Sequence, residues 1–191
     1  MTSWIVVDRP FFLSPLPLNE FIGKQFGLLI AFVLPGFMTL WGARPLSATL
    51  SNWLSPEPTL PAGLAAVVFV GLASVAAGMT VSAARWLVID SLHAWTGLPR
   101  PTWNDAALGD RLDAFEALVD AHYRHYQFYA NSAIAILFCY VVAWRTGAFS
   151  QGDGVTWFVV LLAVEALFLI TSRDTLRNYY RRVARLLHSA T

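Results

Sequence analysis

Asp90, His93, His122 and His125 carry the densest coordination chemistry in the sequence. His122 and His125 stand three residues apart in DAHYRHYQFYAN (120–131), and Asp90 and His93 repeat that spacing in RWLVIDSLH. Residues three apart share one face of a helix. Two such faces set opposite each other would offer an Asp/His/His/His set suited to zinc or another divalent transition metal. The spacing is common in helices, however, and the single cysteine, Cys139, lies in an apolar run away from both pairs. A second reading accounts for more of the stretch. Tyr123, Tyr126 and Tyr129 among polar neighbours are what a membrane–water interface selects, because the ring is apolar and the hydroxyl stays wet. Arg124 can snorkel there to lipid headgroups. Base stacking on nucleic acid is disfavoured, since Asp113, Glu116 and Asp120 lie directly upstream.

Glu165 is the sharpest single residue. It sits in VVLLAVEALFLIT (159–171), and no Lys, Arg or His stands at that depth in another apolar stretch. A carboxylate in hydrocarbon is costly and marks a functional position facing a bundle interior or water. Three roles fit it. A neutral acid could bond a hydroxyl such as Ser74 or Thr39 and tie helices together. A ring of Glu165 around an oligomer axis would favour cations. A proton carrier is the third. Thr39, Ser74 and Thr80 are the other candidate pore polars.

Pro35 and Gly36 join a helix breaker to a flexible neighbour, so a kink or unwound turn is expected there. Ser74, Gly78 and Ser82 recur every four residues with Gly71 nearby, a small-residue stripe for close helix packing. Arg85 and Asp90, five apart, would fall on different faces of an α-helix. Arg85 then reads as an interfacial arginine paired with Glu20 or lipid phosphate. No G-x-x-x-x-G-K-[ST], G-x-G-x-x-G, H-E-x-x-H or G-x-S-x-G occurs, so nothing nominates a nucleotide enzyme or hydrolase, and no cofactor is implied. A lipid-modifying enzyme built on Asp90, His93, His122 and His125 is a third-rank reading.

These residues are held by an apolar chain. Of 191 residues, 57% are hydrophobic and 13% charged, against about 25% charged in soluble domains; the mean hydropathy is +0.54. An all-α integral membrane protein follows, with four transmembrane helices at about 22–43, 62–84, 132–148 and 155–171. Residues 1–20, with prolines at 10, 15 and 17, read as an irregular interfacial segment with Trp4, Phe11 and Phe12 dipping inward rather than as a leader peptide. Arginines crowd two regions, Arg85 to Arg124 and Arg173 to Arg185, while the other loops hold only Arg44 and Arg145. Both termini, the 85–128 segment and the 173–191 tail are therefore expected in the cytoplasm.

Helical cytoplasmic extensions complete the expected plan. Leu108, Leu112, Phe115 and Val119 lead on to His122 and Tyr126 at alternating spacings of four and three, a seam seeking a partner. Thr102 with Asp105 would cap that helix, after a turn at GLPRP (97–101). Asp105, Asp110, Asp113, Glu116 and Asp120 could face the tail arginines. Alternatively Arg177, Arg181, Arg182 and Arg185 could rest on anionic lipid or an acidic partner. Four short spans, the extension DAALGDRLDAFEALVDAHYRHYQ and the basic tail RDTLRNYYRRVARLL resemble, in architecture only, the four-span membrane subunits of bacterial anti-phage defence systems. Some of these form tetrameric pores. The resemblance implies an oligomeric, channel-like protein of the bacterial inner membrane, gated through its cytoplasmic helices. The alternative is a non-conducting sensor or scaffold that docks a soluble partner on the Leu108–Val119 seam.

Overall fold

The computed structural model describes residues 26–54, 60–103, 108–109, 111–149 and 154–188, whose regular structure is all helical with no strand. Helix α1 covers Phe26–Leu46, and α2 is a short turn at Ala48–Trp53 that Ser47 caps by accepting from the Leu50 N–H at 3.4 Å. Helix α3 begins as Leu60–Arg85 and continues through Trp86–Asp90 and Ser91–Trp95. Helix α4 is Leu112–Arg145, and α5 is Gly154–His188. Residues 1–25, Asp105 and Asp110 fall outside the described residues, and with them the expected interfacial segment, the Glu20 partner for Arg85 and the Thr102–Asp105 cap.

Four of these helices are long and apolar enough to cross a membrane. At 1.5 Å per residue, the 35 residues of α5 extend for about 52 Å, well beyond roughly 30 Å of hydrocarbon. Helices α3 and α4 also outrun the expected spans. Two glycines stop helices where a left-handed residue is required. Gly97 (φ +89°) and Gly147 (φ +73°) follow α3 and α4, and the next N–H in each case bonds back to the last turn: Leu98 to His93 and Ala148 to Ala143, both at 2.9 Å. Glycine adopts that conformation without a Cβ penalty.

The packing register gives an up-down-up-down bundle. A Cβ on Gly36 would overlap the Ser74 carbonyl, and one on Gly78 the Phe32 carbonyl, so α1 and α3 run antiparallel with backbones touching. The small-residue stripe thus packs inside the chain. Ser74 and Gly78 are buried and Ser82 half-buried, whereas Gly71 faces open space. Gly27 against Arg124, Ala31 against Asn131 and Met38 against Cys139 set α1 parallel to α4. Helix α5 returns antiparallel along α4, and the described ends of α1 and α5, Phe26 and His188, lie at the same end of the bundle.

The main apolar core lies at that end and not at mid-bundle. Ile89, Tyr126, Ala130, Leu176, Tyr179 and Val183 form it, with Trp103, Phe115, Leu118 and Val119 packed on. Elsewhere the helices expose Val67, Phe69, Leu72, Phe158, Val159 and Leu162. Only 6% of the most apolar stretch of α5 is buried within the chain. Helices in lipid need no apolar core, because acyl chains solvate their outer faces as well as leucine would.

Candidate functional site

Helix α1 widens into a π turn at Leu29–Val33, just ahead of Pro35. Proline has no N–H to give the carbonyl four residues back, which is that of Ala31. Asn131 of α4 supplies the missing donor, its Nδ2 lying 2.7 Å from the Ala31 oxygen. The expected disturbance at Pro35 is therefore a widened turn answered by a neighbouring amide. Asn131 Oδ1 and the adjacent Ser132 Oγ are both buried and have no hydrogen-bond partner among the described residues.

Glu165 joins these two atoms in depth. Phe168 packs at 6.4 Å from Phe128 and 5.9 Å from Tyr129, and Phe158 at 6.3 Å from Tyr140. That antiparallel register puts Glu165 level with Ser132. About 12 Å of helix separates Glu165 from Arg173 and about 17 Å from Gly154, which is mid-span. Its Oε1 is buried and unpartnered among the described residues. Three unanswered polar atoms on two adjacent helices thus form one layer across the bundle.

The other expected pore polars do not join that layer. Thr39 Oγ1 donates to Pro35 O at 2.9 Å, Ser74 Oγ to Val70 O at 2.7 Å and Thr80 Oγ1 to Ala76 O at 3.0 Å. Each hydroxyl is spent on its own helix, so the bond expected from Thr39 or Ser74 to Glu165 is not formed. Thr80 faces outward.

A second polar cluster lies at the end that holds the apolar core. Arg85, 5% exposed, donates from Nη1 to the Asp90 carboxylate at 3.1 and 3.4 Å. This corrects the expectation that residues five apart find other partners. At 100° per residue they stand about 140° apart, but Trp86–Asp90 is a π turn whose i→i+5 bonding brings them together. The Tyr126 hydroxyl also donates to Asp90, and the Arg85 guanidinium lies 5.2 Å over the Tyr126 ring. His93 Nε2 is 3.1 Å from Ser172 Oγ, which donates its own proton to Leu169 O at 2.9 Å. Nε2 must therefore be the donor in the first bond.

The metal set is not assembled. Asp90 and His93 are committed to the partners just named, His125 is exposed, and no three His, Cys, Asp or Glu among the described residues could hold a metal ion. Leu108, Phe115 and Val119 pack onto the chain's own core, and only Leu112 of the expected docking seam is exposed. Asp120 pairs with Arg124 on its own helix. Arg177, Arg181, Arg182 and Arg185 are exposed. The fold defines the class as an all-helical protein with four membrane-length helices. No family model, curated protein or solved structure matches the chain.

Sequence reasoning missed Asn131, Ser132 and Ser172, because each stands at the margin of an apolar run and reads as a boundary residue. One signal was available for the first: Pro35 orphans a carbonyl, and Asn131 is an amide close to the apolar run of another helix.

Proposed function

We propose that this chain is a multi-pass membrane protein that conducts a cation or proton as an oligomer, with Asn131, Ser132 and Glu165 as its mid-membrane polar layer. The observation that carries the reading is the depth shared by the three unpartnered atoms. Polar groups in hydrocarbon each cost several kcal/mol unless satisfied, so a layer of them calls for water, a proton or an ion. A bundle of four helices is too narrow to hold a wide aqueous path by itself. Several copies around an axis would bring their layers together, and the apolar outer faces suit both lipid and a second copy. In this reading both termini lie in the cytoplasm of a bacterium and the long helical ends gate the path. From the chain's resemblance in architecture to four-span defence subunits, we read the conductance as an effector output. No catalytic residue is assigned.

The test is cation and proton flux into liposomes carrying the purified chain. Wild type conducts, Glu165→Gln loses or re-selects the flux, Ser132→Ala reduces it, and the outward-facing Thr80→Ala conducts like wild type. Equal flux from wild type and Glu165→Gln, both folded, overturns the role of the layer. A second reading, a non-conducting subunit that docks an acidic partner, is favoured by the exposed Arg177, Arg181, Arg182 and Arg185. Absence of flux, with a soluble partner lost on charge reversal at Arg181 and Arg185, would establish it.

A further inference from the structure

Helices α4 and α5 carry opposite charges on faces that turn away from the core they share. Val183 of α5 is 0% exposed. Arg181 and Arg185 stand two residues to either side of it, about 160° round the helix, and both are exposed. On α4, Phe115 packs on the core. Asp113, two residues before it, is exposed on the far side in the same way, and exposed Glu116 and Leu112 widen that face. Asp113 and Arg185 have no hydrogen bond or ion pair among the described residues. Arg181 donates to Asn178 of its own helix, and Asp120 is taken by Arg124.

The two faces nonetheless stand at one level. Arg111 donates to the Leu186 carbonyl, and Tyr123 lies 5.1 Å from Tyr179. That antiparallel register sets Asp113 level with Arg185 and Glu116 level with Arg181, to within about one turn. Lipid does not reach so far. From Glu165 at mid-span, half of roughly 30 Å of hydrocarbon is crossed in about ten residues, near residue 175. Arg181 and Arg185 lie about 9 and 15 Å further on, beyond a headgroup layer of about 5–8 Å. Copies in one membrane share their depth, and rotation about the membrane normal carries each charge round at its own level. A second copy thus brings an acidic face to the height of a basic one.

We propose that Asp113 and Glu116 on α4 of one copy dock against Arg185 and Arg181 on α5 of the next, fixing how neighbouring copies are turned towards each other. The inference rests on the chain assembling as an oligomer in a membrane and not on conductance. Exposed ion pairs add little adhesion, so this contact selects orientation more than it supplies affinity. A soluble acidic protein would also fit Arg181 and Arg185, but it leaves the level acidic face of α4 unused.

The test is energy transfer between labelled full chains in neutral phosphatidylcholine liposomes at low salt, across a range of protein-to-lipid ratios. It compares wild type, Asp113→Lys, Arg185→Glu and an equimolar mixture of the two variants, each folded by thermal melt. Either variant alone associates about fivefold more weakly than wild type, the scale of one exposed pair turned repulsive. The mixture returns to within about twofold of wild type, because the new lysine of one chain meets the new glutamate of the other and the native pair closes the remaining contact. Association as strong in both variants as in wild type overturns the contact while leaving the oligomer, and a soluble partner would then be the occupant of the arginines. A mixture no stronger than its components overturns it as well. A wild type that does not associate at all overturns the contact together with the oligomer on which it rests.

Discussion

Pro35 takes a hydrogen bond away from the Ala31 carbonyl of α1, and Asn131, 100 positions beyond Ala31, returns it. The two side chains should therefore be energetically coupled. Asn131→Leu leaves the Ala31 carbonyl unanswered at a cost of roughly 1–3 kcal/mol, read as a lowered melting temperature in detergent. Pro35→Ala restores an N–H to that carbonyl, so the same Asn131→Leu change costs clearly less in a Pro35→Ala background. Additive losses in the double-mutant cycle would show that the amide does not compensate for the proline. At this scale the sequence exposed the costly atoms, Glu165 and Pro35, because each breaks an apolar pattern. It hid their companions. Asn131 and Ser132 sit where an apolar run starts, and only the register of α4 against α5 reveals that this start lies level with Glu165.

Elements join through positions where nothing protrudes. Backbone meets backbone at Gly36 and Gly78, so a methyl at either must push α1 and α3 apart. Gly36→Ala and Gly78→Ala should each destabilise the chain by about 1–3 kcal/mol, while Gly71→Ala, with open space before it, leaves the melting temperature unchanged or slightly raised. Equal effects at all three glycines would mean that the stripe packs between copies and not within the chain. The four-residue spacing made this stripe legible, and hydropathy located all four long helices. The π turns at Leu29–Val33, Trp86–Asp90 and Val119–Tyr123 were not legible. Periodicity assumes a fixed angle per residue, and each wide turn shifts the faces beyond it. Hence Arg85 meets Asp90 against α-helical spacing. Along α4, Leu112 is exposed, while Leu118, outside the expected seam, packs with Phe115 and Val119 on the core.

The whole molecule divides into two kinds of packing. At one end an aromatic core, a buried ion pair and the Gly97-capped end of α3 resemble the interior of a water-soluble protein. Along the rest, close glycine contacts and outward apolar faces suit lipid. Exposed tryptophans mark both margins, Trp86 and Trp95 towards the core-bearing end and Trp41, Trp144 and Trp157 at the opposite one, as aromatic belts do at membrane interfaces. The topology proposed above can be read with single cysteines. In a Cys139→Ala background, Ser91→Cys and Asp174→Cys lie towards the core-bearing end on α3 and α5, while Thr146→Cys follows α4 at the other; all three positions are exposed. A membrane-impermeant maleimide added to intact bacterial spheroplasts should label Thr146→Cys alone, and added to inverted vesicles should label Ser91→Cys and Asp174→Cys alone. Ser91→Cys and Thr146→Cys reacting from the same side would mean that α4 does not cross the bilayer. Labelling of the expected pairs from the opposite sides would keep the four spans but turn the molecule over. The core-bearing end would then face outward, and the arginine count would have misjudged the orientation.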